Sequence, residues 1–182
     1  LQLRRPAGAD LVLAMIAGGL APCLGDLVFQ AQDSLIPISA DMLEALEQSL
    51  PLDLPLWALI GLIAVLPALC EEVLFRGAIL GLLRDTLGPV ARCIVVAVLF
   101  GALHLMLMRI LPTATLGLLL TAAAMRTRSL WVPILLHLLN HGLVLTAATL
   151  GWGGPADLGV GLQCLGAGLA IAAVVGMGRA RR

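Results

Sequence analysis

Long apolar runs separated by short polar or charged breaks divide the 182-residue chain, and their spacing predicts helices that cross a membrane. The first run, Leu11 to Phe29, is interrupted by Pro22 and Asp26 and is the weakest; it reads as tilted, broken or re-entrant. The second, Leu54 to Leu83, exceeds one bilayer crossing and is expected to tilt or kink near Pro67. Pro89 is placed to open a third helix running through Met108, and Pro112 a fourth ending near Met125. Leu130 to Leu150 and the Gly- and Ala-rich Leu158 to Gly178 complete the set. Between the first two runs, Ala40 to Leu50 carries Met42, Leu43, Leu46 and Leu50 at helical spacing, with Glu44 and Glu47 opposite. This is the pattern of a short amphipathic helix on the membrane surface. The expectation is an all-α, polytopic transmembrane bundle of about six spans with a short interfacial helix.

Composition agrees with the pattern. Hydrophobic residues make up 60% of the chain and mean hydropathy is +1.05, too apolar for a soluble core of this length. All eleven basic residues are arginine, the net charge is zero and no basic stripe exists, which argues against nucleic acid as a partner. Cys23, Cys70, Cys93 and Cys164 sit singly in apolar runs and read as packing thiols. A cleaved leader is not expected from the first run. Arginines at 4/5, 84/92, 126/128 and 179/181/182 fall on alternate connections, opposite the acidic 32–53 segment and Asp157, with Arg109 as the exception. The positive-inside rule then puts both termini in the cytoplasm, and a bacterial inner membrane is the expected location.

One stretch is hard to reconcile with lipid. Between Trp57 and Leu83 the charged residues are Glu71, Glu72 and Arg76. Three mid-membrane charges cost about 8–10 kcal/mol, and the fourteen Leu, Ile, Val and Phe residues of that window offset about 4–8 kcal/mol. These charges must face other helices or a water-filled cavity. The other polar groups deep in the runs are His104, His137, Asn140 and His141. Counted from the arginine of each helix, Glu72, His104, His137 and His141 lie about 14–20 Å from the inner face. Glu72 and Arg76 at i and i+4 can pair, Glu71 is turned about 100° away towards a cavity, and His137 and His141 share a face. A carboxylate and imidazoles around one water suit hydrolysis, with Glu as base or with a bound metal acidifying the water. There is no HExxH, no GxSxG, no serine deep in a run and no pair of aspartates on separate spans.

Glu71-Glu72-x-x-x-Arg76, Phe100-x-x-x-His104 and the His137 block, in this order, resemble the CPBP family of intramembrane endopeptidases, the CAAX prenyl proteases and bacteriocin-processing enzymes also called Abi. The resemblance covers about residues 55–150, read as the catalytic core of a single membrane domain 1–182. Residues 1–54 supply the first span and acidic segment, and 151–182 the last span. It implies a cavity sunk in the membrane and open to the cytosol, and a peptide or protein substrate reaching the bilayer. Glu71 would be the general base and His104 its partner on the attacking water. His137 with the residue four positions on would stabilise the oxyanion, and Glu72 and Arg76 would support. Position 141 is His where the family has Asn or Asp, and either His141 or Asn140 takes that role. The resemblance leaves open whether a zinc ion, on Glu71, His104 and His137, or a metal-free glutamate does the chemistry. The rival readings are a non-catalytic membrane scaffold or bacteriocin-immunity protein, and a proton- or ion-coupled transporter module. Fusion to or association with another membrane module is also compatible with the chain.

Overall fold

The computed structural model describes residues 4–48 and 54–179, without the side chains of residues 43 and 45–47. The described residues contain helices and no strand. Helix α1 spans Gly8–Leu35, α2 Ala40–Gln48, α3 Leu56–Leu82, α4 Pro89–Ala102, α5 Leu107–Thr127, α6 Trp131–Thr149 and α7 Val160–Gly176. A 3-10 turn, Gly154–Asp157, precedes α7. Four of these helices (α1, α3, α5 and α6) are long and apolar enough to cross a membrane, and α4 and α7 are shorter apolar helices. The chain is a polytopic, all-helical integral membrane protein. Its outer surface exposes Val12, Leu62, Val98, Leu118 and Leu162, as lipid-facing helices require.

Several expectations change. The first run is neither broken nor re-entrant: α1 is one helix of 28 residues that carries Pro22 and Asp26 inside it. Pro112 lies within α5 and does not open it. The third helix stops at Ala102, so a hairpin turn, 103–106, separates α4 from α5. With 14 residues, α4 is about 21 Å long, short of a full crossing. Pro89 does open α4, behind Gly88 as N-cap. A helix forms over Ala40–Gln48 as expected, but Leu50 and the side chains of Leu43, Leu46 and Glu47 lie outside the described residues.

Helix α3 absorbs its proline through π-helical turns. Pro67 has no N–H for the carbonyl four residues back, and the stretch immediately before, Ile60–Val65, is wound as a π-helix. A second π segment, Val73–Ile79, begins just after Glu72.

The core runs through the middle of the bundle. Ala14, Ala17 and Ala21 of α1, Phe75 of α3, Val96 and Phe100 of α4, Leu116 and Leu120 of α5, Leu136 of α6 and Val174 of α7 form one buried cluster. Small residues allow the closest approaches. A Cβ on Gly18 would lie 2.7 Å from the Leu136 carbonyl oxygen, so α1 rests directly on the α6 backbone. A Cβ on Gly101 would lie 2.6 Å from the Ile110 oxygen, which closes the α4–α5 hairpin.

Candidate active site

The site begins with the last two residues of the α-helical stretch Leu66–Glu72. Glu72 points into the bundle and is fully buried, whereas Glu71, one residue earlier, is 24% exposed. One turn on, Arg76 donates from Nη1 to Glu72 Oε1 at 2.7 Å. Its Nε donates to Thr121 Oγ1 at 3.2 Å and its Nη2 to the Gly117 oxygen at 3.0 Å. Thr121 in turn donates to the same Gly117 oxygen at 2.7 Å. The guanidinium carbon also lies 4.5 Å from the centroid of the Phe100 ring. An ion pair without such donors and acceptors would be costly at this depth; this guanidinium is held by three hydrogen bonds and a ring.

Glu72 Oε1 accepts a second hydrogen bond, from His137 Nδ1 at 2.9 Å. A carboxylate bonded to Arg76 can only accept, so Nδ1 carries the proton and Nε2 presents a lone pair. That Nε2 faces Glu71 Oε2 at 4.0 Å, too far for a direct hydrogen bond. Both atoms are buried and neither has a hydrogen-bond partner among the described residues. The two glutamates thus divide, Glu72 with Arg76 behind the imidazole and Glu71 in front of it.

His104 occupies a different place from the one its sequence position suggests. It lies in the α4–α5 turn and not within a span, with Nδ1 3.0 Å from the Phe100 oxygen. A carbonyl accepts, so Nδ1 is again the protonated nitrogen. Phe100 joins the groups: its ring meets Phe75, His104 and His137 edge-on at centroid distances of 5.1, 5.4 and 5.7 Å. His141 packs on His137 with centroids 4.6 Å apart. His141, Asn140, His104 and Arg109 line a cavity of about 440 Å³ between α1, α5 and α6, which Glu71 and His137 do not line. Asp26, Gly153 and Pro155 also line it, so it lies in the half of the bundle away from Arg84, Arg92, Arg126 and Arg128.

As a zinc set, Glu71, His104 and His137 do not fit. Two of them face one another, but among the described residues no three His, Cys, Asp or Glu side chains are grouped closely enough to hold a metal ion. The residues that sequence reasoning missed are Thr121 and Gly117, which hold Arg76, and the aromatic pair Phe75 and Phe100. Thr121 alone gave a signal, as a hydroxyl in an apolar run; the Phe100 motif was visible, but not its role as a hub.

Fold and site define a polytopic helical membrane protein with a buried glutamate–arginine–histidine network. The family model described as "Type II CAAX prenyl endopeptidase Rce1-like" matches residues 53–143, half of the chain, and the chain belongs to that family. The resemblance seen in the three motifs is thereby borne out, and the family is one of CAAX-type intramembrane proteases. No curated protein and no solved structure matches the chain.

Proposed function

We propose that the protein is an intramembrane endopeptidase in which Glu71 and His137 together hold and activate the attacking water. The observation that carries this is the facing pair Glu71 Oε2 and His137 Nε2, 4.0 Å apart, both buried and both without a hydrogen-bond partner among the described residues. A water admitted between them, at ordinary hydrogen-bond length from both, would donate one proton to each and keep a lone pair for a carbonyl carbon. Glu71 takes the proton as the carbon–oxygen bond forms and passes it to the amine as the peptide bond breaks. Glu72, anchored by Arg76, keeps the His137 tautomer and ring orientation fixed. His141, at the cavity wall, is then the imidazole free to donate to the oxyanion, since the Nδ1–H of His104 is taken by the Phe100 oxygen. This moves His137 from the oxyanion to the attacking water, leaves His141 at the oxyanion and retains Glu71 as base.

The arginine-bearing end of the bundle is assigned to the cytoplasm by the positive-inside rule. The cavity then lies in the opposite half, and substrate reaches His104 and His141 from there, where a cytosolic approach was expected. Labelling with a membrane-impermeant maleimide tests this, in a chain whose native cysteines are replaced. Arg128→Cys should react from the cytoplasmic side and Trp152→Cys from the other; the reverse result inverts the assignment.

Cleavage of a membrane peptide by the purified protein tests the chemistry. Glu71→Gln should lower the rate about 10²–10⁴-fold, the range of general acid–base catalysis. Unchanged cleavage would rule out Glu71 as the base. Glu72→Gln should reduce the rate less, since it still accepts from His137.

A further inference from the structure

The bundle has a second cavity, remote from the glutamates, of about 550 Å³. Its eight lining residues are Arg4, Met125, Arg126, Thr127, Arg128, Met177, Gly178 and Arg179, so half of them are arginines and none is acidic. They come from three separate segments: the approach to α1, the end of α5 and the exit from α7. We propose that this cavity binds the phosphate-bearing headgroup of an anionic phospholipid.

The four arginines have different tasks. Arg126 builds the wall: its guanidinium donates from Nε to the Met177 oxygen at 3.2 Å and from Nη2 to the Val175 oxygen, tying α5 to the end of α7. Arg4, Arg128 and Arg179 are exposed, and their guanidinium groups have no hydrogen bond or ion pair among the described residues. The nearby Asp10 makes no ion pair with them among the described residues; it is buried, accepts from the Gly178 N–H at 2.8 Å and does not line the cavity. Arg128 holds its place at φ 52°, a left-handed conformation unfavourable to a non-glycine residue, where glycine is the usual helix-ending choice.

Topology alone asks only that arginines sit on this side of the membrane, as Arg84 and Arg92 do without lining the cavity. It does not ask three distant segments to turn theirs around one hollow. Arginine forks match phosphate oxygens two at a time, and basic pockets between transmembrane helices are suited to anionic lipid heads.

Native mass spectrometry and thermal unfolding in neutral detergent test this, with phosphatidylglycerol, cardiolipin, phosphatidylcholine and inorganic phosphate as probes. The anionic lipids should be retained and should raise the melting temperature, and phosphatidylcholine should do neither. Arg4→Gln, Arg128→Gly and Arg179→Gln should each weaken retention about fivefold. Arg128→Gly should meanwhile leave the lipid-free melting temperature unchanged or higher, because it relieves the left-handed backbone. Arg84→Gln with Arg92→Gln should leave retention intact. Equal retention of phosphatidylcholine, or equal loss in the Arg84/Arg92 control, overturns the proposal. Protection by inorganic phosphate as strong as that by phosphatidylglycerol would assign the cavity to a free anion and overturn the lipid source. None of these readouts depends on proteolysis.

Discussion

Arg76 shows how far a single residue can be read from the chain. Its pairing with Glu72 follows from i, i+4 spacing, and the need to hide both charges follows from the apolar residues around them. Its other partners do not follow, because Thr121 and Gly117 lie more than forty positions away and only the fold brings them close. The same holds for His137 against Glu72. Removing the guanidinium leaves a buried carboxylate without its counter-charge, so Arg76→Met should destabilise the protein by about 3–5 kcal/mol, measured by denaturation in detergent. Thr121→Val should cost about 1–3 kcal/mol by leaving Nε without an acceptor. Near-wild-type stability in Arg76→Met would show that Glu72 needs no counter-charge.

The α4–α5 hairpin marks where element boundaries escaped the sequence. The turn is Leu103-His104-Leu105-Met106, without glycine, proline or asparagine, so the apolar run reads as uninterrupted helix. Leu105 makes the reversal at φ 54°, with the residue 88% exposed. Depth counting along an unbroken helix therefore placed His104 in a span when it sits in the turn. Relieving the backbone, Leu105→Gly should stabilise the hairpin by about 1–2 kcal/mol, read as a rise in melting temperature. The opposite sign is expected at Gly101, where an added Cβ would press on the Ile110 backbone oxygen at 2.6 Å. Gly101→Ala should lower the melting temperature and, by displacing His104, reduce peptide cleavage as well. Pro89 and Pro67 were legible because proline acts locally, on the first turn of a helix or on a missing N–H.

At the scale of the whole molecule, the apolar runs and the rhythm of charges made the all-helical membrane fold legible, and three motifs made the family legible. The packing order was not, since nothing local says that α1 rests on α6 through Gly18. The two halves of the buried network have a consequence for how the chain enters a membrane. Helix α3 leaves the ribosome with Glu71, Glu72 and Arg76 when the acceptors on α5 and the imidazole on α6 have not yet been made. Its own insertion balance runs from near zero to about 6 kcal/mol unfavourable. Commitment of α3 to the bilayer should therefore wait for residues up to His137 to emerge. In a glycosylation-reporter series, chains truncated before residue 110 should hold α3 inefficiently and chains extended past His137 fully, while Glu71→Leu/Glu72→Leu/Arg76→Leu should abolish the delay. Synthesis of His137 would then time the membrane residence of Glu71 and Glu72.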